Sequence, residues 1–249
     1  MYICGAVDGN SRLITFLDIT CENSARNNCV FFLCGVQQYG LPSRVRVDDG
    51  GEYMEVRRYM EREMGQGRGS VIVGTSVHNQ RIERMWRDVY AKVLAIYYRL
   101  FYHLEDHGIL DLSSNIHLFA LHYVFVQRIQ QDLSRWAAAH NNHGLRTEHH
   151  QTPMQLWMSG IIQQSQSSST AIRNALSFNI DAEVVREHHS LDWEEQSTRL
   201  NVPISHIHDP LPEERLIEMS QQINVMAECE DYGLGFYGRV VQFITTHSV

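Results

Sequence analysis

The chain has 249 residues and a mass of 28.8 kDa, with 43% hydrophobic and 20% charged residues, a formal net charge of -8 and a mean hydropathy of -0.30. That length holds one large domain, or one domain with a smaller appendage, and is enough for a sizeable core. No run of about 18 apolar residues occurs, which excludes a membrane-spanning helix, and the N-terminus MYICGAVDGNSR lacks the basic-then-apolar layout of a secretory signal.

The predicted elements run as follows. Tyr2 to Val7 is a short apolar strand ended by Asp8-Gly9-Asn10-Ser11, a turn in which Gly and Asn accept positive φ, and Leu13 to Ile19 completes a hairpin. From Glu22 to Tyr39 the apolar residues Ala25, Cys29, Phe32, Leu33 and Val36 recur with helical spacing, and Gly40 before Pro42 stops the helix. Arg44 to Val47 is a short strand, Tyr53 to Met64 a helix ended by GQGRG, and Ser70 to Val73 a further short strand. A long helix is predicted from about Val77 to Leu104, with Ile82, Met85, Val89, Val93, Ile96, Tyr97 and Leu100 as its buried stripe, and another over His117 to His140. Hairpin, helix, strand, helix, strand, long helix is the order of an α/β domain with a mixed sheet.

Three carboxylates stand out by position. Asp8 ends the first strand, Asp48 follows the short strand in SRVRVDDGGE, and Glu83 lies near the start of the long helix in HNQRIERMWRD. Carboxylates at strand ends and on an adjoining helix can meet at one edge of a sheet. Because they repel one another, the usual reason to gather them is a hard divalent cation with oxygen ligands. Two such ions serve phosphoryl transfer by activating the nucleophile and stabilising the leaving oxygen.

The segments AVDGNSRLITFL, YGLPSRVRVDDGGE, HNQRIERMWRDV and WAAAHNNHGLRTEHHQTPMQLW, in this order within residues 1–160, resemble the DDE-type integrases and transposases. The 34 residues between Asp48 and Glu83 are close to that family's spacing. The wording NQRIERMWRDV is most similar to integrase-core proteins of eukaryotic mobile elements and their host-resident descendants. The resemblance implies an RNase H-like mixed sheet flanked by helices. It also implies a site of Asp8, Asp48 and Glu83 holding Mg²⁺ or Mn²⁺, with Asp49 as the rival for the second position, and metal-dependent DNA strand cleavage and strand transfer without a covalent protein–DNA intermediate. DNA contacts are expected from Asn79, Arg68, Arg81, Arg84 and Arg87, a homo-oligomer follows from the resemblance alone, and the expected location is intracellular and nuclear. A domesticated, non-catalytic nucleic-acid- or protein-binding module is the alternative. The DNA-recognition module that usually precedes such a core does not fit into seven residues, so recognition of element ends is not expected from this chain alone.

The charge divides along the chain. Residues 1–160 carry 16 Lys+Arg and 16 Asp+Glu, residues 161–249 carry 5 and 13, and Lys92 is the one lysine. With the polar stretch QQSQSSST at 163–170, this places an expected boundary at 160/161, between the integrase-like core and an acidic C-terminal extension. Within that extension DYGLGFYGRVVQFI is apolar enough to pack back on the core, and Pro212 suits a helix start. The five cysteines lack framework spacing and read as reduced thiols of an intracellular protein. His140, His143, His149 and His150 lack a zinc-finger layout, so no zinc is expected.

Overall fold

The computed structural model describes residues 1–74, 80–165 and 210–247. Strands β1 (Tyr2–Val7) and β2 (Ile14–Thr20) form the expected antiparallel hairpin, in register from Tyr2 opposite Thr20 to Ala6 opposite Phe16. The register then slips so that Val7 faces Ile14, a bulge that sharpens the local twist. Helix α1 (Ala25–Tyr39) begins at Ser24, whose Oγ accepts from the Asn27 N–H at 3.2 Å. It stops at Gly40, which takes φ 85° and donates its N–H to the Val36 carbonyl at 2.8 Å.

Strand β3 (Val45–Val47) pairs in parallel with β4 (Val71–Val73), and helix α2 (Met54–Met64) connects them after a single 3₁₀ turn at Gly51–Tyr53. The expected single mixed sheet is therefore present as two separate two-stranded sheets among the described residues. One helical layer covers both: Cys29, Phe32, Leu33 and Val36 of α1 and Val56, Tyr59 and Met60 of α2 form a cluster that takes in Phe16 of β2, Val45 of β3 and Val71 of β4.

The opposite layer is a continuous helical run: α3 (Gln80–Val89), a π turn over Tyr90–Leu94, and α4 (Ala95–Asp106). Met85, Val89, Val93, Tyr97 and Leu104 are buried along it, but Ile96, expected in that stripe, is 38% exposed. The π turn adds a residue to one turn, so the face after it is rotated and Tyr97 takes the inward position. Helix α5 (Asn115–Asn141) lies across β2, and Phe125, Ile129 and Leu133 join Ile14, Leu17 and Ile19 in the main core.

The expected boundary at 160 falls inside α6 (Pro153–Ser165). Helices α7 (Glu213–Gln222), which starts directly after Pro212, and α8 (Leu234–His247) belong to the same core as α5. Val240 and Ile244 of α8 are fully buried, and Arg128 on α5 donates to the carbonyls of Val225 at 2.8 Å and Ala227 at 2.6 Å. The apolar segment DYGLGFYGRVVQFI does pack back, as its composition suggested.

Candidate metal and nucleic-acid site in the inter-sheet cleft

Between the two sheets lies a cleft of about 1210 Å³. Gly5, Ala6, Val7 and Asp8 line it from β1, and Val45, Arg46, Val47 and Asp48 from β3. Helix α1 contributes Phe32 and Val36, helix α3 Gln80, Arg81, Ile82 and Trp86, and helix α6 Trp157, whose ring stands edge-on to Tyr39 at 5.4 Å. Gly5 lies where α3 approaches β1: a Cβ there would lie 3.0 Å from Leu17 Cδ1 and 3.2 Å from Met85 Cε and Trp86 Cη2, so these side chains would have to give by a few tenths of an ångström.

Asp8 and Asp48 thus sit at ends of β1 and β3 and border the same cleft. Asp8 has a competing task. Its Oδ2 accepts from the Asn10 N–H at 3.1 Å, the Ser11 N–H at 2.7 Å and the Ser11 hydroxyl at 2.7 Å. Those bonds hold the hairpin turn together, an Asx-type arrangement in which the side chain substitutes for a backbone acceptor. The turn is also held from outside: Arg12, at φ 66°, donates to Thr147 Oγ1 at 2.9 Å and to Glu148 Oε1 at 2.6 Å.

Asp48 is exposed, and its carboxylate makes no hydrogen bond or ion pair among the described residues. Its carbonyl accepts from Arg57 Nη2 at 2.7 Å, and the same guanidinium reaches Asp49 Oδ1 at 3.3 Å. Asp49, the rival for the second position, is therefore paired, whereas the Asp48 carboxylate has no partner among the described residues. Beside them Tyr53 also borders the cleft; burial, helped by the negative charges of Asp48 and Glu52, pushes its phenol up to about 12, so it stays a proton donor.

Glu83 lies in the first turn of α3 and is exposed, but it is not among the residues that line the cleft. Arg81 lines it; Arg84 and Arg87 are exposed on the same helix. Arg68 is exposed in the loop before β4, with Nη1 2.8 Å from Met64 Sδ. Asn79 lies outside the described residues. A divalent ion needs several oxygen ligands at roughly 2.0–2.6 Å. Among the described residues no group of three or more His, Cys, Asp or Glu side chains is placed to hold one. With one Asp8 oxygen engaged in its turn and Glu83 away from the cleft, the three carboxylates in this arrangement do not fit an ion shared between them.

By composition Arg57 reads as part of a solvated face with Arg58 and Arg62. Arg58 does pair with Glu55 and Arg62 with Glu63, at 2.9 Å for the latter, but Arg57 clamps the Asp48–Asp49 loop instead. Two amides of α5 also act on the hairpin without any expectation from the sequence. Asn141 Oδ1 accepts from the Ile14 N–H at 2.8 Å and its Nδ2 donates to the Ile14 carbonyl at 3.0 Å. Gln130 does the same earlier on the helix, accepting from the Ile19 N–H at 2.9 Å and donating to the Leu17 carbonyl at 3.2 Å. Buried amides spaced eleven residues apart on an apolar helix were the available signal, because each must find partners.

Comparison with curated proteins and comparison with solved structures each returned no match. A family comparison matches residues 1–171 to the integrase core domain, more than half of the chain, and that span runs from β1 to just beyond α6. The match shows that the chain belongs to the integrase core family.

Proposed function

We propose that this chain is a mobile-element-derived integrase core that binds DNA and, with its cleft open, neither cuts nor joins it. The supporting observation is the cleft itself. Arg44, Arg46 and Arg81 line it, whereas Asp8 is engaged in its own turn and Glu83 stands away. Arginines suit the phosphate backbone because the planar guanidinium can donate two parallel hydrogen bonds. Arg68, Arg84 and Arg87 extend the proposed DNA-binding surface, Asn79 is proposed as a DNA contact on the sequence resemblance alone, and a nuclear location and a homo-oligomer go with this reading.

Fluorescence anisotropy with a labelled duplex across about 50 to 200 mM salt tests it. Affinity is expected to fall with salt, and the log–log slope to become shallower by about 2 in the Arg84→Ala/Arg87→Ala variant, about one unit for each phosphate no longer neutralised. An unchanged slope removes these arginines from the interface.

A second reading is favoured by one observation: the carboxylates of Asp48 and Glu83 are exposed and have no partner among the described residues. On that reading Asp8, Asp48 and Glu83 hold Mg²⁺ or Mn²⁺ once the cleft walls rearrange, and the protein carries out strand cleavage and transfer. Titration of either ion into wild type and Asp48→Asn separates the two readings, since only the second predicts weaker binding by the variant.

A further inference from the structure

The end of α4 carries two histidines one turn apart, His103 and His107, in the string HLEDHG. Both are exposed, and residues four apart share one side of a helix. Their rings lie together, with centroids 4.1 Å apart and planes tilted by 43°. The His107 ring is fixed by its Nδ1, which lies 2.9 Å from the His103 carbonyl oxygen. A carbonyl oxygen only accepts, so Nδ1 carries the proton and Nε2 keeps a free lone pair in the neutral ring. The His103 ring makes no hydrogen bond or ion pair among the described residues, so its nitrogens are available as well.

This is the arrangement of a prepared pair of nitrogen ligands. A metal-bound imidazole commonly donates its other N–H to a backbone carbonyl, which sets both the tautomer and the ring direction. Two nitrogens about 2.0–2.1 Å from one ion, at an angle of about 90–110°, hold their ring centroids about 4.5–5 Å apart. The observed 4.1 Å is short of that by about half an ångström, a small rotation for exposed rings. Charge favours a cation here too: Glu105 and Asp106 are exposed beside the pair, and a helix C-terminus carries partial negative charge. The pair is remote from the cleft carboxylates, since 20 residues of continuous helical run separate His103 from Glu83, about 30 Å of length.

We propose that His103 and His107 bind one divalent transition-metal ion of the Zn²⁺ type at the C-terminal end of α4. Imidazole nitrogen suits such ions, whereas Mg²⁺ and Mn²⁺ prefer oxygen ligands. Two protein ligands leave the remaining positions to water, in keeping with the absence of any three-ligand group among the described residues. The ion ties the residue that ends the helix to the turn before it. It thereby clamps the segment in which the Gly108 N–H donates to the Glu105 carbonyl at 2.9 Å and the Ile109 and Leu110 N–H groups donate to the Leu104 carbonyl at 2.8 and 2.9 Å. The inference rests neither on DNA binding nor on the carboxylates Asp8, Asp48 and Glu83.

The test is calorimetric titration of Zn²⁺ into the full chain, free of any histidine tag, alongside His103→Ala, His107→Ala and Asp48→Asn. Wild type is expected to bind Zn²⁺ saturably, each histidine variant at least about tenfold more weakly, and Asp48→Asn as wild type does, with or without a large excess of Mg²⁺. His103→Ala is the decisive variant. It keeps the backbone carbonyl that accepts from His107, so a purely capping role for these residues predicts no change. Hydrogen exchange in wild type is expected to slow at the Gly108, Ile109 and Leu110 amides when Zn²⁺ is added, and to be unaffected by Zn²⁺ in His103→Ala. Absence of saturable binding, equal binding by either histidine variant, or no added protection at these amides overturns the proposal. So does binding that Asp48→Asn abolishes or Mg²⁺ displaces, since the ion would then sit on the cleft carboxylates.

Discussion

Asn141 and Gln130 each use a complete amide to satisfy the backbone of β2, at Ile14 and at Ile19 and Leu17. Asn141→Leu would leave a buried N–H and a buried carbonyl without partners, so we expect a loss of about 2–4 kcal/mol in urea denaturation. Asp18, half-buried on β2, has its carboxyl raised from 3.8 to about 6, mainly by burial and despite a hydrogen bond from Gln130. A carboxyl raised in the folded state holds its proton more tightly there. Its contribution is most favourable below pH 4 and is lost as pH rises through about 6. Asp18→Asn is therefore expected to be more stable than wild type at pH 7 by up to about 2 kcal/mol and equal to it near pH 3. His122 works in the opposite sense: burial lowers it to about 4, so its contribution is complete above pH 6.5 and lost as pH falls toward 4. In Asp18→Asn that loss is no longer offset, and stability should fall steadily on acidification over this interval. At this scale the sequence was informative about residue type and less so about role. The string Asp-Gly-Asn-Ser at positions 8–11 supports both a turn and a catalytic carboxylate, and three hydrogen bonds to one oxygen of Asp8 give the turn its share.

Among the elements, the helical run from Gln80 to Asp106 shows where periodicity works and where it stops. The helical pattern correctly places Met85, Val89, Val93 and Tyr97 inside, and also assigns Ile96, which is exposed, to the same stripe. The π turn at Tyr90–Leu94 moves the inward position to Tyr97, whose hydroxyl donates to Asp132 Oδ2 at 2.6 Å. We expect Ile96→Ser to change stability by less than about 0.5 kcal/mol and Tyr97→Ala to cost about 3–5 kcal/mol, measured by denaturant unfolding. Nothing in the local composition of YAKVL marks a π turn, since all five residues are compatible with ordinary helix. The α2 helix carries a comparable lesson. Its acidic and basic residues read as one solvated face, and only the fold reveals that Arg57 reaches back to the Asp48 carbonyl. Arg57→Ala should speed amide exchange in residues 48–51 while leaving α2 itself intact, because Arg58 and Arg62 keep their own partners.

For the molecule as a whole, the order of elements was legible because each carries its own pattern, and most strands and helices lie within a few residues of where that pattern put them. Closure of the sheet was not legible. It depends on long-range pairing between β1 and β3, and three-residue strands such as β3 contain little that specifies a neighbour. The charge boundary near residue 161 was likewise a fact of composition, while packing ignores it: the acidic segment ends in α8, whose Tyr237 and Ile244 complete the α5 core. The central claim concerns the cleft, which Asp8 and Asp48 border together with Arg44, Arg46 and Arg81. The most direct test is a strand-transfer and nicking assay on a short duplex with Mg²⁺ or Mn²⁺, run on wild type and Asp48→Asn at concentrations where both bind the DNA. The account predicts bound but unprocessed DNA for both proteins, with no dependence on metal. Metal-dependent cleavage or joining by wild type that disappears in Asp48→Asn would contradict it.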